Sequence, residues 1–273
     1  NNTAVGYQAL YSNTTGTSSV AVGYQAAYSN TQINCTALGA VALYNNTTGY
    51  NTAVGYGTLY ANTTGTNNVG VGGFDGSVNP TLRYNTTGSY NSAFGFGALS
   101  NNTTASSNTA VGYQAGYSNT TGASNVAIGY TALYSNTTNS GNVAIGGDQP
   151  GWAGGALYSA TGGYNIGIGV GAGGGITTGN QNIAIGYRTV GGSGGGTGVR
   201  NTIIGCGAGY ALSSGSENTL IGSGQDGFYF GSGSSLTTGS YNTMLGSVSG
   251  INATTGAWNT LCLLYTSPSP RDQ

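Results

Sequence analysis

Apolar residues come in short adjacent pairs along this chain, each pair set between polar and glycine-rich stretches. The clearest instance is Asn108 to Ser124, NTAVGYQAGYSNTTGAS, in which Ala110 and Val111 follow Asn-Thr and precede a glycine. Aligning that glycine gives Gly6, Gly23, Gly39, Gly55, Gly72, Gly95, Gly112, Gly129, Gly146, Gly169, Gly186, Gly205, Gly222 and Gly246. The intervals are 17, 16, 16, 17, 23, 17, 17, 17, 23, 17, 19, 17 and 24 residues. A short fixed period without a helical pattern predicts a solenoid, because one such unit cannot bury its own apolar face and must stack on its neighbours. The expected fold is all-β, a parallel β-solenoid (β-roll) of about fourteen 17-residue turns.

Alternation within Asn-Thr-Ala-Val and within Ala-Leu-Tyr-Ser predicts two short strands per turn, joined at glycine corners. Strands stacked ~4.8 Å apart make fourteen turns a rod on the order of 65 Å long. Equivalent residues then form columns along the rod. Ala4 and Val5 are neighbours on a strand and are expected on opposite faces, and so are Ala9 and Leu10. One apolar column can fill the thin interior. The other needs a second covering layer, which this chain has no spare segment to supply, so several copies around an axis are expected.

Two polar columns also repeat. The asparagines Asn2, Asn51, Asn68, Asn91, Asn108, Asn125, Asn142, Asn165, Asn182, Asn201, Asn218, Asn242 and Asn259 align as an amide ladder. The Asn-Thr-Thr column, Asn13, Asn46, Asn62, Asn85, Asn102, Asn119 and Asn136, reads as a second ladder and also matches the N-glycosylation sequon.

Residues 1–146 are the regular repeats, and 147–261 are a variant, glycine-rich part of the same stack. The long intervals follow Gly72, Gly146 and Gly222, every fourth turn and always at the same corner. Loops there should protrude on one edge roughly 19 Å apart. They hold Phe74, Asp75, Asp148, Trp152, Asp226, Phe228 and Tyr229, the candidate binding residues, since solenoid insertions often map to one face. The alternative is that their aromatic rings fold back and cap the apolar stripe. Residues 262–273 break the repeat and resemble translated sequencing-adapter read-through at the ends of assembled environmental reading frames. The chain also begins in mid-repeat, which reads as a fragment.

Composition narrows the chemistry. There are 54 glycines and 21 tyrosines, no histidine, no lysine, nine charged residues and a net charge of −1. Disorder needs more charge, and collagen needs a strict glycine triplet with more than four prolines. Without a basic stripe, nucleic acid and anionic membrane surfaces are not expected partners. No apolar run approaches the ~20 residues of a membrane span. Cys35, Cys206 and Cys262 stand turns apart in different columns, too scattered for a disulfide framework or a metal cluster.

The run NVAIGYTALYSNTT, Asn125 to Thr138, resembles the head repeats of YadA-type trimeric autotransporter adhesins. It is closer still to the NTAVGYQALYSNTTG repeats of phage tail-fibre-like and bacterial surface proteins, which often end in a self-cleaving trimerising chaperone. The resemblance covers residues 1–261 and implies a homotrimeric, extracellular shaft or adhesive head that meets a host-surface receptor or glycan. The period, mostly 17, is longer than the adhesin's, and neither chaperone nor anchor is present in this sequence.

Catalysis is not expected. Without histidine or lysine the usual general bases, Schiff-base amines and imidazole ligands are missing, no serine has a plausible activating base, and no cofactor or metal is called for. Asp75, Asp148 and Asp226 sit about four turns apart, beyond the ~5–9.5 Å of a glycosidase pair. Glu217 and Asp226 flank one turn and are the intrachain candidates for such a pair. The leading expectation is a structural or adhesive fibre segment. The alternative is an ice- or glycan-binding solenoid face built on threonine, weakened because neighbours such as Thr14 and Thr15 should face opposite ways.

Overall fold

The computed structural model describes residues 1–74, 76, 79–147, 154–192, 196–224 and 231–262. Fifteen three-residue strands, from β1 (Thr3–Val5) to β15 (Thr260–Cys262), form one parallel sheet in sequence order. The register is the column register of the repeat. Between β7 (Thr109–Val111) and β8 (Val126–Ile128), Thr109 pairs with Val126, Ala110 with Ala127 and Val111 with Ile128. The long intervals do not disturb it: across the insertion after Gly146, Val143 still faces Ile166 and Ile145 faces Ile168. The strand register thus passes each insertion unchanged, and the chain is a β-solenoid with the period read from its glycines.

Each repeat glycine makes the corner that ends a strand. Gly112 has φ +133°, and a Cβ placed on it would lie 2.5 Å from the carbonyl oxygen of Gly129 one turn on. All fourteen share the positive φ, from +115° to +155°, so the corner requires glycine for both conformation and space.

Among the described residues the second strand of each turn is not there. The segment after the corner alternates residues of positive φ, as at Thr131 (φ 49°) and Leu133 (φ 54°), and is a run of turns. Its backbone is still paired from rung to rung: Thr131 N donates to Tyr113 O at 2.9 Å, and Leu133 N to Ala156 O at 2.9 Å. Left-handed residues other than glycine cost about 1–2 kcal/mol each. Here the conformation removes the strand alternation, so Ala132 and Leu133 both point into the rod and are buried. The expectation that Ala9 and Leu10 face opposite ways is corrected on the same ground. Gln8 (φ 53°) and Leu10 (φ 53°) are left-handed, Leu10 is buried and Ala9 is half-buried against the core.

The core is thus one narrow file between the strand centre and this turn segment. On the strand side it holds Ala37, Ala53 and Ala93; opposite them stand Leu43, Leu59 and Leu99. Towards the other end the sizes exchange. Ile203, Leu220 and Met244 occupy the strand centre, and Gly209, Gly233 and Gly250 stand opposite.

Both asparagine ladders form inside the rod. In the first, the amide Nδ2 of Asn108 donates to Asn91 Oδ1 at 3.2 Å, and its backbone N–H donates to the same oxygen at 3.1 Å. Ser19 and Cys35 stand in this column in the second and third turns. In the second ladder, Asn102 donates to Asn85 Oδ1 at 2.7 Å and Asn119 to Asn102 Oδ1 at 3.0 Å. Asn46, Asn62, Asn85, Asn102, Asn119 and Asn136 are all buried, so the sequon side chains face the interior, away from any glycan. From the ninth turn this column turns apolar, through Ala160, Ile176, Leu212 and Leu236.

Candidate functional site: the uncovered strand face and the insertion corners

With the central residue of every strand but the first and last buried, the flanking two point outward on one side of the sheet. The first is half-buried in most strands, as at Thr52, Thr109, Val126 and Ile183. The third is the Val/Ile column, and it is left open: Val5, Val22, Leu38, Phe94, Val111, Ile128, Ile168 and Leu245 are 36–57% exposed. Neither column contains a charged residue in any of the fifteen strands. A continuous uncharged apolar stripe of this kind is unusual on a solitary soluble chain.

Two of the insertion corners, those of Gly146 and Gly222, are closed at their bases. Ala156 N donates to Gly146 O at 2.8 Å and Ser232 N to Gly222 O at 3.0 Å, so each excursion returns to the corner it left. Of the candidate binding residues, Phe74 lies within the described part. It is 49% exposed and tilts against Tyr56, with ring centroids 5.9 Å apart and planes at 38°. Phe74 therefore lies back along the rod, on a tyrosine column. Asp75, Asp148, Trp152, Asp226, Phe228 and Tyr229 lie outside the described residues. Where the first insertion rejoins, Asn79 Nδ2 donates to the Tyr117 hydroxyl at 3.4 Å, past the turn in which Ser100 replaces a tyrosine.

Tyrosine columns are the feature the sequence reading passed over. Tyr11, Tyr28, Tyr44 and Tyr60 stack with centroids 5.1, 5.1 and 5.2 Å apart and planes within 11°. Tyr117, Tyr134 and Tyr158 form a second run in the same column, at 5.4 and 5.1 Å. The signal was present, since each of these rings falls at a fixed place after its corner glycine. Burial within the stack, then repulsion from neighbouring phenolates, pushes the hydroxyls of Tyr28 and Tyr134 above the usual tyrosine value.

Among the described residues, two of the charges pair with each other. Arg200 and Glu217, one turn apart in the column preceding the first asparagine ladder, form an ion pair. The hydrogen bond to Glu217, then its charge, holds the Arg200 guanidinium above its ordinary value. Glu217 thus has a cationic partner, and Asp226, proposed above as its acidic neighbour, is outside the described residues. Arg83 lies over the rings of Tyr60 and Tyr84, at 5.3 and 5.6 Å from their centroids.

All three cysteines are free. Cys35 is buried in the asparagine slot, where burial pushes its thiol above the usual range despite bonds from Asn46 and Asn51. Among the described residues no three His, Cys, Asp or Glu side chains gather as a metal site, and no helix is long and apolar enough to cross a membrane. An interior void of about 10 Å³ between Ile176, Val190, Ile203 and Leu212 has room for at most one water molecule.

No protein-family model, curated protein or solved structure matches this chain.

Proposed function

We propose that this chain is a structural and adhesive segment of an extracellular homotrimeric fibre, a phage tail-fibre shaft or a bacterial surface adhesin head. The observation that carries the reading is the Val/Ile column, 36–57% exposed at eight of its positions on a sheet without charge. Covering that stripe with sister chains removes apolar surface from water at ~25 cal/mol per Å². Three chains around an axis give each stripe a partner on the same terms. The role is non-enzymatic and uses no cofactor, and the partner is a host-surface receptor or glycan met at the insertion corners.

The ice- or glycan-binding alternative draws less support. Threonine hydroxyls of the Asn-Thr-Thr column already donate along the rod, Thr47 to Thr63 O at 2.9 Å and Thr103 to Thr120 O at 3.1 Å. Those donors are not free to order water or sugar.

The adhesive part is tested by shortening the insertions after Gly72, Gly146 and Gly222 to the length of an ordinary turn and measuring retention of labelled protein on bacterial cells. The proposal expects retention by the parent and loss in the shortened form, with thermal unfolding unchanged. Equal retention by both would remove the insertions from the contact.

A further inference from the structure

The tyrosine column has a chemical consequence separate from any role in adhesion. Rings of Tyr28 and Tyr44 lie 5.1 Å apart and 11° from parallel, in turns that the backbone holds in register. Phenols are the most abundant oxidisable groups on this surface. Competing side chains are few: Met244 and Cys35 are buried, histidine is missing from the sequence, and the accessible Cys206, Cys262 and Trp258 stand outside this column. Tyr11 at the open end is 63% exposed, and Tyr28, Tyr44 and Tyr60 are each partly open to solvent.

We propose that this column is an oxidative cross-linking site, at which a peroxidase-type one-electron oxidant using hydrogen peroxide couples tyrosines of successive turns into dityrosine. Each of two phenols loses one electron and its hydroxyl proton, giving two tyrosyl radicals. The radicals join through a new carbon–carbon bond between ring positions ortho to the oxygens. The two ring hydrogens at the new bond then move to the oxygens and restore both phenols. In sum, two ring C–H bonds break, one C–C bond forms, and one hydrogen peroxide becomes two waters. Held in one stack, two such radicals meet at an effective concentration that separate molecules in dilute solution do not reach. Exposed rings can turn from the stacked to the bonded arrangement by side-chain rotation.

The structure also says where coupling stops. Arg83, which lies over the Tyr60 ring, and then Ser100 take the ring's place in the two turns between Tyr60 and Tyr117. Links are therefore expected along Tyr11–Tyr28–Tyr44–Tyr60 and along Tyr117–Tyr134–Tyr158, with none between Tyr60 and Tyr117. Each link closes a loop of one repeat and staples neighbouring turns.

The test treats the full folded chain with a peroxidase and hydrogen peroxide, follows dityrosine fluorescence, and maps the linked peptides by mass spectrometry after digestion. The expected result is a several-fold higher dityrosine yield than from chain unfolded in denaturant, with links confined to those two runs and to the stacked pairs Tyr7–Tyr24 and Tyr113–Tyr130 of the neighbouring column. Tyr44→Phe should remove two of the three links in the first run, leaving Tyr11–Tyr28 and the whole second run. Equal yields from folded and unfolded chain, links spread over unstacked tyrosines, or links mainly between separate molecules would each overturn the proposal. Circular dichroism of Tyr44→Phe checks that the stack still folds, and the second run in that variant serves as the internal control.

Discussion

Gly233 leaves the space that Leu220 fills: a Cβ on Gly233 would stand 3.0 Å from both methyl carbons of Leu220. The same exchange runs through the core. At Ala37, Ala53 and Ala93 the strand centre is alanine and Leu43, Leu59 and Leu99 stand opposite; where it is Ile203, Leu220 or Met244, the opposite residue is glycine. In these turns the interior holds one large side chain, contributed from one side or the other.

That complementarity predicts a rescue. Leu220→Ala opens a cavity and should cost about 2–5 kcal/mol. Gly233→Leu alone forces two large side chains into one place and should cost about 1–3 kcal/mol. Gly233 has φ +59°, which Leu43 and Leu59 already adopt at the same position, so leucine is conformationally admissible there. The double variant reproduces the Ala53/Leu59 arrangement and should recover at least about 1 kcal/mol relative to the sum of the singles. Denaturant unfolding of the four proteins measures the coupling; strict additivity would contradict the one-large-residue interior.

The second asparagine ladder ends at Asn136, whose buried Oδ1 has no hydrogen-bond partner because the next residue in the column is Ala160. In mid-ladder, Asn102→Ala removes the donor to Asn85 Oδ1 and the acceptor for Asn119 Nδ2. Each buried orphan costs ~1–3 kcal/mol, so Asn102→Ala should cost about 2–4 kcal/mol. Asn136→Ala also orphans Asn119 Oδ1, but it removes the orphan already at the ladder end and should cost about 1 kcal/mol less. Paired melting curves of the two variants decide this; equal losses would mean that the ladder is not the unit of stabilisation.

Alkali should loosen the fold from its thiol and phenols. Burial raises the folded Cys35 thiol above its ordinary 9.0 and, with repulsion from neighbouring phenolates second, the Tyr28 and Tyr134 hydroxyls above 10.0. A raised folded value for these groups means that their contribution is complete below the unfolded value and is lost as pH rises through the folded one. Stability should therefore hold level through neutrality and fall above about pH 9, first from Cys35 and then from the tyrosines. Cys35→Asn restores the ladder residue and should postpone the onset. Unfolding midpoints from pH 6 to 11 check this, and a fall beginning near pH 6–7 would contradict it.

Much of the fold was legible because the glycines carry it. A column such as Gly112 and Gly129 needs both positive φ and a bare Cα, so its spacing records the turns directly, and the strand register follows. The second half of each turn was not legible. Ala-Leu-Tyr-Ser alternates like a strand, and nothing in those letters announces that Leu10 or Leu133 will sit left-handed. Rung-to-rung pairing holds them there, a property of neighbouring turns and not of the segment itself. The uncovered Val/Ile column was readable from apolar neighbours on one strand, whereas its counterpart in Ala9 and Leu10 disappeared once both turned inward. Of the candidate binding residues, Phe74 alone falls within the described part, where it rests on Tyr56.

The most direct test is the mass of the particle in solution, by sedimentation equilibrium across a concentration series, for the parent chain and for Val111→Asp. If sister chains cover the stripe, the parent sediments at three times the 26.9 kDa of one chain, and an aspartate at the centre of the open column drives it towards single chains. A parent that stays soluble, folded and monomeric at every concentration would contradict the account.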